Sequence, residues 1–162
     1  MIWRDIVLCT QPAPACCIVG FHRLNHQHSE MEKLQKRPEE WKSELTPEQY
    51  AVLREEATER RFTSPLNAEH RKGTFVCAGC GQPLFTSTMK YDSKTGWPSF
   101  FDAVPGAIET KIDRGLFTER TEYHCARCGG HQGHVFEDGP DPTGLRYCNN
   151  GVALKFVPDE KT

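Results

Sequence analysis

The chain has 162 residues, a length that suits one domain with a terminal extension. Its 20 basic and 22 acidic residues give a formal net charge of -2, so the sequence lacks the basic excess typical of proteins that bind nucleic acids or acidic membranes. No run of about 18 apolar residues occurs, which excludes a transmembrane helix. The mildly apolar N-terminus is interrupted by charge and proline and does not resemble a secretory signal, so we expect a cytoplasmic protein.

The first part of the chain shows no structural pattern. Residues 1–40 mix proline, histidine, glutamine and charge, which predicts a flexible or disordered N-terminal tail. The tail carries three of the eight cysteines: Cys9, Cys16 and Cys17. Residues 41–162 are predicted to form the folded domain.

A helix start is visible at Thr46. Thr46 can cap the helix, Pro47 fits its first position, and Gln49 completes a capping box. Three residues then fall on one face at helical spacing: Tyr50, Leu53 and Ala57. We expect this helix to end near Arg60, before the turn-forming residues 63–65.

From Gly73 onward, short β-prone runs alternate with turn residues. The predicted strands include residues 74–76, 108–112, 121–125, 135–136 and 152–156. In 108–112, Ile108, Thr110 and Ile112 alternate with charged residues, as in a half-buried strand. Residues 138–144 contain glycine, proline and aspartate and predict a loop. The pattern indicates a mainly antiparallel β domain with a helical N-terminal segment.

Four cysteines occur in two CxxC pairs, Cys77 with Cys80 and Cys125 with Cys128. Such a pair turns two thiolates toward one point, and two pairs supply the four sulfurs of a tetrahedral zinc site. Because a closed four-thiolate site leaves no position for water, we expect one structural Zn²⁺. The alternatives are an iron site with the same ligands or free cysteines in the core.

Cys148 is left without a CxxC partner and lies between the turn-rich loop and a predicted strand. Arg146, two residues earlier, would share its face in a strand and favour the thiolate. His131 and His134 precede the loop, and histidine is the usual partner of a reactive thiol. Taken alone, each of these residues, and Trp97 with them, is more often structural than catalytic, so spacing does not define a reaction.

Several strings in fixed order resemble one family, the methionine-R-sulfoxide reductases of type B, from about Trp41 to Phe156. They are residues 45–50 (LTPEQY), both CxxC pairs, 96–100 (GWPSF), 133–136 (GHVF), 138–140 (DGP), 142–144 (PTG) and 146–148 (RYC). The resemblance implies two antiparallel sheets, the β-tent fold of this family, with the active site on one face. It also implies reduction of the R epimer of methionine sulfoxide, free or within oxidised proteins; repair of the two epimers is divided between two enzymes.

The resemblance also assigns roles to residues of this chain. Cys148 matches the catalytic cysteine, Arg146 the arginine near its thiolate, and Trp97 the aromatic wall that receives the substrate methyl group. His131, His134 and Asn150 match the polar residues around the sulfoxide. In this chemistry the thiolate attacks the sulfoxide sulfur and becomes a sulfenic acid, while a histidine, His134 before His131, protonates the departing oxygen.

Two positions depart from the family pattern. Many relatives carry a resolving cysteine where this chain has Thr95, so the usual internal disulfide cannot form. Cys9, Cys16 or Cys17 can replace it if the tail reaches the site; otherwise thioredoxin, glutathione or another thiol must reduce Cys148 directly. The second departure is Gly151, where many relatives have serine, which affects a secondary hydrogen bond.

Other function classes remain open at this point. A zinc-ribbon module that binds a protein partner would explain the metal site, but not Cys148 together with Arg146, the histidines and Trp97. A thiol peroxidase would also use a sulfenic cysteine. We expect no nucleic-acid or membrane partner and a monomeric protein.

Overall fold

The computed structural model describes residues 32–114 and 119–160. The expectation of a disordered tail, and the question of its three cysteines, therefore fall mostly outside the described residues. The helices are α1 (Pro38–Glu44) and α2 (Pro47–Glu55). The strands are β1 (Gly73–Cys77), β2 (Pro83–Thr86), β3 (Lys90–Tyr91), β4 (Ser99–Phe100), β5 (Ile108–Arg114), β6 (Glu119–Cys125), β7 (His131–Phe136), β8 (Arg146–Asn149) and β9 (Leu154–Pro158).

The strands form two antiparallel sheets. The smaller sheet has the order β2-β1-β9, and the larger has the order β3-β4-β8-β7-β6-β5. Strand β8, which carries Cys148, lies inside the larger sheet between β4 and β7. The prediction of a mainly β fold with two antiparallel sheets and a helical N-terminal segment is confirmed.

Helix α2 begins as predicted but ends earlier. The Gln49 backbone N–H donates to the Thr46 hydroxyl, and the Thr46 backbone N–H donates to the Gln49 side chain, which completes the capping box. The expected end near Arg60 is wrong, because the helix ends at Glu55 and Glu56 adopts a left-handed conformation with φ of 58°. A residue in that conformation closes a helix and turns the chain away from its axis.

Helix α1 was not predicted. It starts at Pro38 and buries Trp41, which is 3% exposed and lies under the guanidinium of Arg54, 4.3 Å from the ring centroid. Its seven residues are too few for a periodic apolar pattern. No helix in the described ranges has the length and apolar character needed to cross a bilayer.

Aromatic side chains join the two sheets. Phe75 of β1 and Phe85 of β2 contact Phe100 of β4, with ring centroids 5.0 Å and 4.1 Å apart, and all three are fully buried. Tyr123 of β6 packs edge-on against Phe85 at 6.2 Å. This interior fixes β4 and, through it, the neighbouring strand β8.

Two strand predictions need correction. Residues 108–112 were expected to form a strand with one buried face, but β5 is the edge of the larger sheet and Ile112 is 52% exposed. The expected strand over residues 152–156 is divided, because Gly151–Ala153 form a 3-10 turn and β9 runs from Leu154 to Pro158. The turn follows Asn150 directly and redirects the chain from the larger sheet to the smaller one.

Candidate active site and metal centre

The four CxxC cysteines converge, as predicted. The sulfur atoms of Cys77, Cys80, Cys125 and Cys128 all lie within 4.8 Å of one another. Cys77 ends β1 of the smaller sheet and Cys125 ends β6 of the larger sheet. Gly81 and Gly129 adopt positive φ, which lets the chain turn sharply after each pair.

The spacing of these sulfurs fits a metal ion. The Cys77 and Cys128 Sγ atoms are 3.7 Å apart, and those of Cys80 and Cys125 are 3.5 Å apart. Zinc–sulfur bonds of about 2.3 Å in a tetrahedron place neighbouring sulfurs about 3.8 Å apart. A disulfide would need about 2.05 Å, so both observed distances fit ligands around one ion.

Polar groups surround the cysteine cluster. Arg54 of α2 donates to the Cys128 carbonyl at 3.0 Å, and its second guanidinium nitrogen lies 3.5 Å from the Cys128 sulfur. Gln132 of β7 donates to the Cys77 sulfur at 3.4 Å. Donors of this kind orient thiolate ligands and offset their charge.

Cys148 lies in β8, where its partners across the sheet are His134 of β7 and Ser99 of β4. Arg146, two residues earlier in the same strand, lies on the same face, as predicted. The next pairs extend this row, because His134 faces Glu122 of β6 and Glu122 faces Lys111 of β5. One face of the larger sheet therefore carries a transverse row of polar and ionisable side chains that includes Cys148.

The environment of Cys148 has opposing effects on the pKa of its thiol. Burial raises the pKa of Cys148, while the Arg146 charge and the Thr95 hydroxyl oppose that rise. The net direction is upward, so Arg146 does not produce a resting thiolate by itself. Arg146 also forms two hydrogen bonds to the Asp138 carboxylate, at 2.7 Å and 2.8 Å, and its guanidinium covers the Phe136 ring.

His134 is held by a carboxylate. Its Nε2 lies 3.0 Å from Asp113 Oδ2, and the same oxygen accepts from Arg120 at 2.7 Å. Because an ionised carboxylate only accepts, Nε2 carries the proton, and Nδ1 is left without a carboxylate partner among the residues that the structure describes. Burial lowers the pKa of His134, and the hydrogen bond to Asp113 offsets part of that effect.

His131 is held in the same way by a different acid. Its Nδ1 lies 2.8 Å from Glu122 Oε1, and both residues are 3% exposed. Glu122 also pairs with Lys111 at 3.1 Å. Burial raises the pKa of Glu122, but the bonds from His131 and Lys111 together hold it below its ordinary value. The other ring nitrogen, Nε2, lies 3.5 Å from the amide of Asn150.

Trp97 and Asn150 meet at one residue of the segment after α2. The Trp97 indole N–H donates to the Glu59 carbonyl, and the Glu59 N–H donates to the Asn150 side chain, both at 2.9 Å. The Glu59 carboxylate accepts from the Val152 N–H at 3.1 Å. Asn150 also donates to the Gln132 carbonyl at 3.0 Å. Glu59 therefore fixes the position of the Trp97 indole relative to the Asn150 side chain.

Gly151 leaves room for a neighbouring side chain. A Cβ atom at this position would lie 1.8 Å from the Ser64 hydroxyl oxygen. Ser64 is itself buried and caps the short 3-10 helix that follows it. The glycine is therefore matched to Ser64 in this chain.

The structure brings the predicted residues to one face, but sequence reasoning missed the residues that hold them, two through a carboxylate and Glu59 through its backbone N–H. Asp113, Glu122 and Glu59 contact His134, His131 and Asn150 respectively. Alternation along β5 and β6 would place Asp113 and Glu122 on one face. It gives no sign that Glu122 is buried, because acidic residues seldom are.

Comparison with known proteins gives one consistent result. The family model described as the SelR domain matches residues 45–158. The chain is 52% identical over 131 residues to a protein of Methanosarcina mazei, covering 80% of this chain and 94% of that protein. It is 54% identical to a protein of Leptospira interrogans serovar Lai, covering 76% of this chain and 95% of that protein. It is 55% identical to a protein of Bradyrhizobium diazoefficiens, covering 78% of this chain and 92% of that protein. All three are named peptide methionine sulfoxide reductase MsrB.

Proposed function

The chain belongs to the SelR-domain family of MsrB methionine sulfoxide reductases, and we propose that it reduces the R epimer of methionine sulfoxide with Cys148 as nucleophile. The family membership makes it an oxidoreductase and not the non-catalytic zinc-ribbon module considered above. The observation that carries the proposal is Cys148 in a central strand, paired across the sheet with His134 and two residues from Arg146.

In the proposed reaction the Cys148 thiolate attacks the sulfoxide sulfur. The oxygen takes a proton and is transferred to the cysteine, which becomes a sulfenic acid, while the substrate leaves as methionine. One thiolate, one sulfoxide and one proton thus give one sulfenic acid and one thioether, with a two-electron reduction of the substrate sulfur. Arg146 favours the thiolate that begins this step.

The proton comes from a histidine. His134 is the first choice, because it is the cross-strand partner of Cys148 and its Nδ1 has no carboxylate partner within residues 32–114 and 119–160. His131 is the second, because its Nε2 faces Asn150, the amide proposed to orient the sulfoxide oxygen. Each ring is held at its other nitrogen by an acid, Asp113 or Glu122, and can therefore keep one orientation during the reaction.

Substrate recognition is proposed to use Trp97 and Asn150 together. The indole face provides apolar contact for the methyl group on the sulfoxide sulfur. The Asn150 amide acts on the oxygen, and Glu59 keeps the two side chains at a fixed separation. Discrimination between epimers follows from this arrangement, because exchanging the methyl and oxygen positions would place an oxygen against the indole.

Regeneration of Cys148 requires an external thiol or a tail cysteine. The Thr95 hydroxyl opposes the rise in the pKa of Cys148, so the position of the resolving cysteine in many relatives is filled by a group that cannot form a disulfide. Two thiols reduce the sulfenic acid to the thiol, giving water and a disulfide. Thioredoxin or another small thiol is the proposed reductant, with Cys9, Cys16 and Cys17 as internal alternatives.

The four-cysteine cluster can hold a metal ion, and we propose that the ion is one structural zinc. All four ligand positions are thiolates, which leaves no place for a reacting water. The cluster connects the end of β1 with the end of β6 and so links the two sheets. Its proposed contribution is to the stability of the domain.

The test is a single-turnover reaction with enzyme in excess over each epimer of a blocked methionine sulfoxide. Wild type should convert the R epimer and leave the S epimer, and Cys148→Ser should convert neither. His70→Asn, at an exposed histidine, should match wild type, whereas His134→Asn should lose about 10²- to 10⁴-fold, the usual contribution of a general acid. No turnover of either epimer by folded, metal-loaded protein would refute the proposal, and so would full activity of Cys148→Ser.

A further inference from the structure

A carboxylate on the edge strand contacts the first-choice acid of the proposed reaction. We propose that Asp113 is a positioning residue for His134: it holds the ring through Nε2, leaves Nδ1 for the sulfoxide oxygen and stabilises the protonated form that donates. This inference rests on the proposed function and adds to it a residue outside the family resemblance considered in the sequence.

The contact geometry supports this role. Asp113 is in β5, and its Oδ2 reaches across β6 to His134 Nε2 at 3.0 Å. After His134 gives a proton from Nδ1, the ring is left in the tautomer that carries its proton on Nε2. That tautomer is the one Asp113 accepts from, so the same hydrogen bond serves the ring before and after the transfer.

Charged and titratable groups approach His134 from four strands. Asp113 of β5 is the one acid bonded to its ring among the described residues. Glu122 of β6 is its cross-strand partner, but its carboxylate is bonded to His131 and Lys111. The remaining groups are Arg120 of β6, His131 of β7, with its ring centroid 5.7 Å away, and Cys148 of β8.

Asp113 and Arg120 act on His134 in opposite directions. Burial lowers the pKa of His134, the hydrogen bond from Asp113 raises it, and the Arg120 charge lowers it further. Arg120 also shares the Asp113 oxygen that holds His134. Removing the acid should therefore make His134 harder to protonate, and removing the arginine should make it easier.

The order of the pKa values of Cys148 and His134 determines how a change in the His134 pKa alters the pH dependence of kcat/KM. Because the pKa of Cys148 is raised and that of His134 is lowered, the thiol titrates above the imidazole. The reactive pair, thiolate with imidazolium, is then a minor form of the singly protonated site. The acidic limb of kcat/KM follows His134, the basic limb follows Cys148, and the plateau falls when the pKa of His134 falls.

The experiment measures the second-order rate constant for the R epimer, which corresponds to kcat/KM, under single-turnover conditions. It is measured against pH in wild type, Asp113→Asn and Arg120→Met. Asp113→Asn should move the acidic limb to lower pH and reduce the plateau about 10-fold, which is less than the loss expected when the general acid His134 is removed. Arg120→Met should move the acidic limb to higher pH and raise the plateau. Damage to the fold would lower the plateau without moving the limb.

A matched control lies on the same strand. Glu109 is on the same face of β5 and faces His124, so Glu109→Gln removes an equal charge without touching His134. It should leave the acidic limb unmoved. An unmoved limb in Asp113→Asn, or a shift of Arg120→Met in the same direction as Asp113→Asn, would overturn the inference.

A spectroscopic titration separates this inference from the proposed function. The ring signals of His134, assigned by their loss in His134→Asn, can be titrated by NMR in the absence of substrate. Their midpoint should be lower in Asp113→Asn and higher in Arg120→Met than in wild type. If wild type turned over neither epimer, the proposed function would fail while these midpoints still tested the contact. Equal midpoints in all three proteins would refute it.

Discussion

Glu122, a buried acid in β6 beside the edge strand of the larger sheet, allows a prediction of stability. Glu122 is 3% exposed and bonds His131 at 2.8 Å and Lys111 at 3.1 Å. Glu122→Gln keeps the shape and can still accept from His131, but it loses the charge and turns an amide toward the Lys111 ammonium. We expect the variant to fold with a lower free energy of unfolding.

The magnitude follows from the two contacts. A hydrogen bond to a charged acceptor is worth about twice a neutral one, so the His131 contact should lose about 1 kcal/mol. Lys111 has a half-exposed side chain and a second partner in Glu56, so its loss should be about 1 kcal/mol or less. The sum is about 2 kcal/mol, or about 1 M in the urea midpoint for a typical slope.

The assay is urea unfolding of metal-loaded protein from pH 6 to 8. The folded pKa of Glu122 is depressed, so its contribution is present above the unfolded carboxyl pKa and lost only as pH falls through the folded value. The difference between wild type and variant should therefore be constant across this range. Lys111→Met should account for about half of it. A variant as stable as wild type would show that desolvation of the acid cancels both contacts and would refute the reasoning.

Three further predictions concern the metal, the reductant and the strand pairing. Complete chelation should lower the melting temperature of the domain, because metal binding and folding are coupled; Cys128→Ser should lose the metal and Cys148→Ser should retain it, and an unchanged melting curve after metal removal would contradict this. Thr95→Cys should lose one more free thiol per turnover than wild type when reductant is absent; thiol titration measures this, and equal loss would show that residue 95 does not reach Cys148. Gly133→Ala should lose both stability and activity, since its Cβ would lie 1.9 Å from the Cys148 carbonyl oxygen; a wild-type melting temperature would show that β7 and β8 can separate there.

The features predicted best are those encoded within a few residues. The Thr46 capping box and the two CxxC pairs each depend on local spacing, and both are present as predicted. Arg146 and Cys148 share a face because alternate residues of a strand do so. Such signals do not depend on which strands become neighbours.

The features missed depend on pairing between distant segments. Strands β3 and β4 have two residues each, too few to show alternation. Regular alternation predicted that Ile112 lies on the buried face of its strand, but β5 lies at an edge and Ile112 is exposed. The pairing of Glu122 with His131 depends on the register of β6 against β7, including its bulge near Tyr123, which the sequence does not reveal.

Gln132 connects the four-cysteine cluster to the proposed active site, although the two were predicted from separate motifs. Its side chain donates to the Cys77 sulfur, and its carbonyl accepts from Asn150. Its neighbours in β7 include His131, whose ring faces the same asparagine amide. A shift of the Cys77 ligand would therefore act on Gln132, and a shift of Gln132 would move the amide proposed to orient the sulfoxide oxygen. Because both contacts belong to one residue in a paired strand, we expect loss of the proposed metal to lower the stability of the domain and to change the position of Asn150 together.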